Sequence, residues 1–101
     1  AHTGLDIAAS TGTPIKAAAA GTVTFSGTKR AYGKMIVISH GNGIETYYGH
    51  CSKLYVNEGD IIQQGQEIAE VGATGNATGP HLHFEIRYQN RLIDPELILE
   101  F

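Results

Sequence analysis

The stretch TGPHLHFEIR at residues 78–87 contains two histidines one residue apart, directly after a Gly-Pro turn. Side chains alternate across a β-strand, so residues two apart point to the same face of a sheet. The apolar residues of this stretch would then share one face, which can pack on a core. His81, His83 and Glu85 would share the other face. The pattern therefore predicts a strand that is apolar on one face and polar on the other.

The paired histidines point to a site. Two imidazoles on one face of a strand would repel each other if both were protonated. A shared metal ion or a shared catalytic water would explain why they lie together. The alternative is an ordinary polar face exposed to solvent.

The rest of the chain predicts a mainly β, antiparallel domain. Glycine-bounded runs of apolar and β-branched residues predict strands, and these runs cover residues 21–28, 34–40, 43–50, 67–71 and 82–88. The run at 34–40 is almost entirely apolar, which is typical of burial on both faces. Asn42-Gly43 between two runs predicts a tight hairpin. Asp94-Pro95 followed by ELILEF predicts a short C-terminal helix.

Composition sets limits on the class of protein. The chain has 101 residues, 42% of them hydrophobic, which suits one domain. The net charge of −3 argues against a general nucleic-acid binder. No run approaches the roughly 20 apolar residues that a membrane-spanning helix needs. The single cysteine, Cys51, excludes an internal disulfide and a cysteine-based zinc cluster.

The stretch HTGLD at residues 2–6 supplies two further metal-binding side chains, His2 and Asp6. In an extended strand they would be about 13 Å apart, too far to bind one ion. The chain must therefore bend between them, and Gly4 permits the bend. Because the chain begins one residue before His2, we expect residues 1–101 to be a fragment of a longer protein.

The stretch TYYGHCSKL surrounds a fourth histidine, His50. Strict alternation places Tyr48 and His50 on one face of a strand, and Tyr47 and Cys51 on the other. His50 would then point away from Cys51, which argues against a cysteine–histidine nucleophile pair. Two histidines and one aspartate are the ligands of a catalytic zinc site with an open position, and two histidines remain to move protons.

Three stretches, HTGLD, TYYGHCS and GPHLHFE, resemble in sequence and order the signature motifs of the zinc endopeptidases of the lysostaphin and LytM kind, peptidase family M23. The intervening stretches VISHGNG and VNEGDIIQQGQEIAEVGATGNATG are also similar to that family, so the resemblance covers nearly the whole chain. It implies a single domain of antiparallel strands that forms a groove.

The resemblance also implies roles for the site residues. His2, Asp6 and His83 would bind one Zn²⁺, and His50 and His81 would be the catalytic pair. The remaining histidine, His40, matches no ligand position and is expected to be structural. The implied reaction is hydrolysis of peptide bonds in the stem or cross-bridge peptides of bacterial peptidoglycan, outside the cytoplasm.

Two other functions compete with this one. The first is a catalytically silent domain of the same kind, which binds wall peptide or a cell-envelope partner protein and regulates another wall enzyme. The second is a phosphotransferase-type domain, whose paired histidines would carry a phosphoryl group. That second function has no use for His2 and Asp6.

Overall fold

The computed structural model describes residues 4–93, and these form nine β-strands joined in one antiparallel sheet. The strands are β1 (Leu5–Ala8), β2 (Pro14–Lys16), β3 (Gly21–Lys29), β4 (Gly33–Gly41), β5 (Ile44–Leu54), β6 (Ile61–Ile62), β7 (Glu67–Val71), β8 (His81–Tyr88) and β9 (Arg91–Ile93). The main path of neighbouring strands is β1-β8-β5-β4-β3-β6. Strand β7 pairs with β5 and β2, and β9 pairs with β8.

The mainly antiparallel β architecture predicted from the sequence is confirmed. All five predicted strands are present, and β5 continues to Leu54 beyond its predicted end. The short strands β1 and β9 were missed, because three or four residues are too few to establish an alternating pattern. The helix expected from Asp94 onward lies outside the described residues, as does His2.

The sheet is apolar on the face that packs on the core. The apolar residues of β8 contribute Phe84 and Ile86 to this core, as the alternation in HLHFEIR predicts. Buried residues from six other strands and from loops complete it, and the largest fully buried ones are Tyr48, Ile36, Ile38, Ile62, Ile68 and Val23. The run at 34–40 is buried on both faces as predicted, since Met35 and Val37 are buried on the side opposite the core.

Two tight turns set the register of the strands around β5 and β8. Asn42 and Gly43 have φ angles of 54° and 80°, and Gln89 and Asn90 have φ angles of 49° and 65°. Two consecutive residues with positive φ form the two-residue turn that matches the twist of a hairpin. The predicted hairpin at Asn42-Gly43 is therefore confirmed.

A β-bulge in β5 corrects one prediction. Lys34 pairs with Cys51 and Ile36 pairs with Tyr48, so β5 has one more residue than β4 between the same two pairs. His50 lies in this bulge with φ 63°. Alternation is therefore interrupted, and Tyr48 and Cys51 are both buried in the core instead of lying on opposite faces. The prediction that Tyr48 and His50 share a face was wrong for this reason.

Residues 4–93 contain no helix that is long and apolar enough to cross a membrane.

Candidate metal and catalytic site

Pairing of β1 with β8 brings Asp6 to the histidine pair. Asp6 is the cross-strand partner of His83. Its Oδ1 atom lies 2.8 Å from His83 Nδ1 and 3.6 Å from His81 Nε2. Asp6 and His83, two side chains of the types that bind zinc, therefore lie together beside the His81 ring at one edge of the sheet.

Gly4 allows the chain to enter this edge. Its φ is 131°, a value that favours glycine, and a Cβ atom there would lie 2.8 Å from the Phe84 carbonyl oxygen and 2.9 Å from His83 Cε1. Gly4 thus adopts the unusual backbone conformation that the sequence predicts, next to His83. His2, the other candidate ligand of this stretch, lies outside the described residues.

The second ring nitrogen of His83 faces a buried carboxylate. His83 Nε2 lies 2.7 Å from Glu85 Oε2, and the Glu85 side chain is only 3% exposed. The hydrogen bond to Glu85 raises the pKa of His83, burial opposes the rise, and the bond to Asp6 adds to it. The two carboxylates thus stabilise the protonated form of the His83 ring relative to its neutral form.

Glu85 is held as an anion by three neighbours. The Tyr32 hydroxyl donates to Oε2 at 2.7 Å, and Arg87 Nε donates to Oε1 at 2.9 Å. Burial raises the pKa of Glu85, but the hydrogen bonds from His83, Tyr32 and Arg87 outweigh burial and lower it below its usual value. The result is a fixed carboxylate that orients the His83 ring.

His50 and His81 each donate from Nδ1 to a backbone carbonyl. His50 Nδ1 lies 2.6 Å from the Thr74 oxygen, and His81 Nδ1 lies 2.9 Å from the Gly79 oxygen. A carbonyl oxygen can only accept, so Nδ1 carries the proton in each ring. In the neutral form of each ring, the nitrogen that can accept a proton is therefore Nε2. The two ring centroids are 4.7 Å apart, so the two rings can act on one group.

A cleft opens in front of the His50 and His83 rings. It has a volume of ≈ 320 Å³ and is lined by Ala31, Tyr32, His50, Asn76, His83 and Glu85. A larger cleft of ≈ 400 Å³ adjoins it at Tyr32 and extends along the same face past Tyr47 and Arg87. An extended peptide could therefore lie along this face of the sheet with one bond near the histidines.

Cys51 is separate from the site. Its side chain is fully buried in the core and its thiol donates to the Tyr48 carbonyl at 3.5 Å. Burial raises the pKa of Cys51 to about 12, so the thiol stays neutral near pH 7. The prediction that His50 points away from Cys51 thus agrees with the structure, since His50 lines the cleft and Cys51 lies in the core.

His40 takes part in a chain of hydrogen bonds within the fold. Its Nδ1 atom donates to the Ala20 oxygen at 2.7 Å, and its Nε2 atom accepts from the Thr46 hydroxyl at 2.7 Å. The Tyr48 hydroxyl donates in turn to Thr46 and accepts from the Ala18 N–H. This chain ties the loop at 17–20 to the sheet, which agrees with the structural role expected for His40.

The structure thus brings together His50, His81, His83 and Asp6 of the predicted site residues. Among residues 4–93, however, no group of three such side chains is arranged to hold a metal ion, and His2 lies outside that range.

Sequence reasoning missed Tyr32, because it comes from a turn that no local pattern connects to the histidines. Glu85 was visible as a residue on the face of His83, although its role as a partner of that ring was not.

The sequence profile of peptidase family M23 matches residues 1–95. The chain belongs to this family, and the resemblance to the lysostaphin and LytM kind of peptidase is confirmed.

The chain is similar to proteins of known name over most of its length. It is 47% identical over 94 residues to the DD-carboxypeptidase/endopeptidase Mpg of Neisseria meningitidis serogroup B. The matched region covers 93% of this chain and 22% of that protein. The chain therefore spans less than a quarter of that relative.

Two solved structures have the same fold. The catalytic domain of the antimicrobial peptidase lysostaphin from Staphylococcus simulans superposes with a TM-score of 0.93 at 33% identity, covering 99% of this chain and 80% of that chain. A zinc-containing peptidase from Vibrio cholerae superposes with a TM-score of 0.88 at 39% identity, covering 91% of this chain and 28% of that chain.

Proposed function

We propose that this chain is a zinc metalloendopeptidase domain that hydrolyses peptide bonds in the stem or cross-bridge peptides of bacterial peptidoglycan. The observation that carries the proposal is the approach of two candidate ligand atoms, Asp6 Oδ1 and His83 Nδ1, beside the His81 ring. Membership of a peptidase family and the similarity to an endopeptidase support it. Because peptidoglycan lies outside the cytoplasmic membrane, the proposal also requires an extracytoplasmic location.

The donor atoms of Asp6 and His83 fit one zinc ion, for which His2 would be the third ligand. Zinc-binding histidines usually donate their other ring N–H to a carboxylate or carbonyl, and His83 has this partner in Glu85. Two ligands of a tetrahedral zinc with bonds of about 2.0–2.1 Å lie roughly 3.3 Å apart. The 2.8 Å separation of Asp6 Oδ1 and His83 Nδ1 needs only a small opening, and the Asp6 side chain is 67% exposed.

Zinc, when bound, supplies a Lewis acid that polarises the scissile carbonyl and lowers the pKa of the attacking water. The free Nε2 atom of His50 or His81 accepts the proton of that water. The ring that has taken this proton can return it to the leaving amine, and the other ring can donate from Nε2 to the developing oxyanion only when it carries a proton on both nitrogens. The geometry allows either assignment of the two rings.

Zinc analysis together with digestion of peptidoglycan tests the proposed function. We expect about one zinc per chain, and we expect new peptide ends when peptidoglycans of different bridge chemistry are digested and analysed by mass spectrometry. The bond that is cut identifies the substrate. A zinc-loaded chain that is inactive on every peptidoglycan would instead support the catalytically silent alternative.

Replacing Glu85 by glutamine is expected to weaken zinc binding by about 10–100-fold, as is usual when the outer partner of a metal-binding histidine is lost. The amide keeps the size of the side chain but removes the charge that orients His83. Competition with a chelator measures the affinity. Glu58→Gln, at an exposed turn, is the control and should keep the parent affinity. Unchanged affinity in Glu85→Gln would show that the carboxylate does not support a ligand.

Replacing Cys51 by leucine is expected to keep zinc content and cleavage, because the thiol lies in the core and not in the cleft. The larger side chain overpacks a fully buried position and should lower the free energy of unfolding by about 1–3 kcal/mol. Urea denaturation measures this loss. A folded, zinc-loaded variant without activity would contradict the separation of Cys51 from the site.

A further inference from the structure

We propose that Thr74 is a positioning residue that fixes the tautomer and orientation of His50. The proposal rests on the proposed function insofar as it takes His50 to be a proton carrier. Thr74 lies in the loop between β7 and β8, and neither composition nor spacing singles it out. Its carbonyl accepts the hydrogen bond from His50 Nδ1 at 2.6 Å. Whatever orients this carbonyl therefore decides which nitrogen of His50 is free.

The Thr74 hydroxyl holds that carbonyl in place. Its Oγ1 atom donates to the Cys51 oxygen at 2.6 Å and accepts the Lys34 N–H at 3.0 Å. Lys34 and Cys51 are cross-strand partners at the edge of the bulge. The hydroxyl thus bridges β4 and β5 at the point where the bulge interrupts their ladder.

The loop is also clamped by backbone contacts. The Asn76 N–H donates to the Ala31 oxygen at 3.0 Å. Gly33 and Gly75 have φ angles of 67° and 74°. A Cβ atom on Gly33 would lie 2.4 Å from the Thr74 carbonyl carbon, and one on Gly75 would lie 2.4 Å from the Gly33 nitrogen. Two glycines are therefore needed for the loop to reach His50 so closely.

His50 depends on this support because its backbone is strained. Its φ of 63° is uncommon for a residue with a side chain, and its N–H donates to the Tyr32 oxygen at 2.7 Å. The main chain is thus held from one side by Tyr32 and the ring from the other by Thr74. A proton carrier needs both its position and its free nitrogen fixed before the substrate arrives.

The test compares Thr74→Val, which removes the hydroxyl at nearly constant volume, with Thr74→Ser, which keeps it. The ring ¹⁵N chemical shifts of His50 in the zinc-loaded protein report the tautomer directly. We expect the Nδ1–H tautomer in the parent and in Thr74→Ser, and a mixture of tautomers in Thr74→Val. With a peptidoglycan substrate, kcat of Thr74→Val should fall by about 10–10²-fold with little change in KM.

Ser26→Ala is the matched control, since the Ser26 hydroxyl donates to the Val56 oxygen at the same 2.6 Å. It should keep the parent tautomer and kcat. Parent-like tautomer and kcat in Thr74→Val at equal zinc content would overturn the proposal, and so would an Nε2–H tautomer in the parent, which needs no variant to fold. If the parent cleaves no substrate, the proposed function fails, while the chemical shifts still decide the role of Thr74.

Discussion

His83→Ala should lose zinc and peptidoglycan cleavage together. His83 supplies the Nδ1 atom that faces Asp6 Oδ1 at 2.8 Å, and its ring is anchored by Glu85 on the other side. Removing the ring takes away a ligand, and Glu85 then has nothing to orient. We expect zinc per chain to fall from about one to near zero. Elemental analysis of the purified variant measures this loss, and digestion of peptidoglycan measures the activity.

His40→Gln is the control for this experiment, because it also replaces a half-buried histidine that makes two hydrogen bonds. It should lower stability but keep zinc and cleavage. Parent-level zinc in His83→Ala would move the ligand role to another residue. His81 is then the first candidate, since its Nε2 atom lies 3.6 Å from Asp6 Oδ1.

The strands of this fold were predictable from the sequence wherever an alternating pattern was long enough. In β8 every second residue is apolar over eight positions, and the resulting division between core and cleft is the one observed. The hairpin at Asn42-Gly43 was predictable because two residues that tolerate positive φ occur together. Both features depend only on neighbours in sequence.

The bulge at His50 could not be predicted in this way. Alternation assumes an uninterrupted ladder, and one extra residue in β5 reverses every assignment beyond it. The bulge is stabilised by the Tyr32 carbonyl and the Thr74 hydroxyl, which come from two separate loops. Such contacts between distant segments leave no periodic signal.

The contacts within the candidate site were equally hard to predict from the sequence. Resemblance to peptidase family M23 could assign the histidines and Asp6, but not the residues that orient them. Tyr32 and Arg87 bind the carboxylate of Glu85, and that carboxylate orients His83. Their partners lie across strand pairs and turns, so only the folded chain brings them together. The sequence therefore predicts candidate catalytic groups, but it does not predict the groups that hold them in position.

His50→Ala and His81→Ala should differ from His83→Ala in zinc content. We expect both variants to keep zinc while cleavage stops. Both rings donate from Nδ1 to backbone carbonyls and have a free Nε2 atom, which suits proton transfer. Loss of a general acid or base costs about 10²–10⁴-fold in rate, or roughly 3–5 kcal/mol of transition-state stabilisation. Zinc content and cleavage rate are measured on each folded variant.

The two variants also decide between the functions that compete for this fold. Zinc loss in His81→Ala would make His81 a ligand and would leave His50 as the only proton carrier of the pair. Full activity in His50→Ala would remove His50 from the reaction, and the free nitrogen that Thr74 maintains would then have no catalytic use. If the parent is folded, zinc-loaded and inactive on all peptidoglycans, neither substitution can lower a rate. Any change in binding to wall peptide would then favour the regulatory domain, because a silent site can still hold the peptide that it no longer cuts.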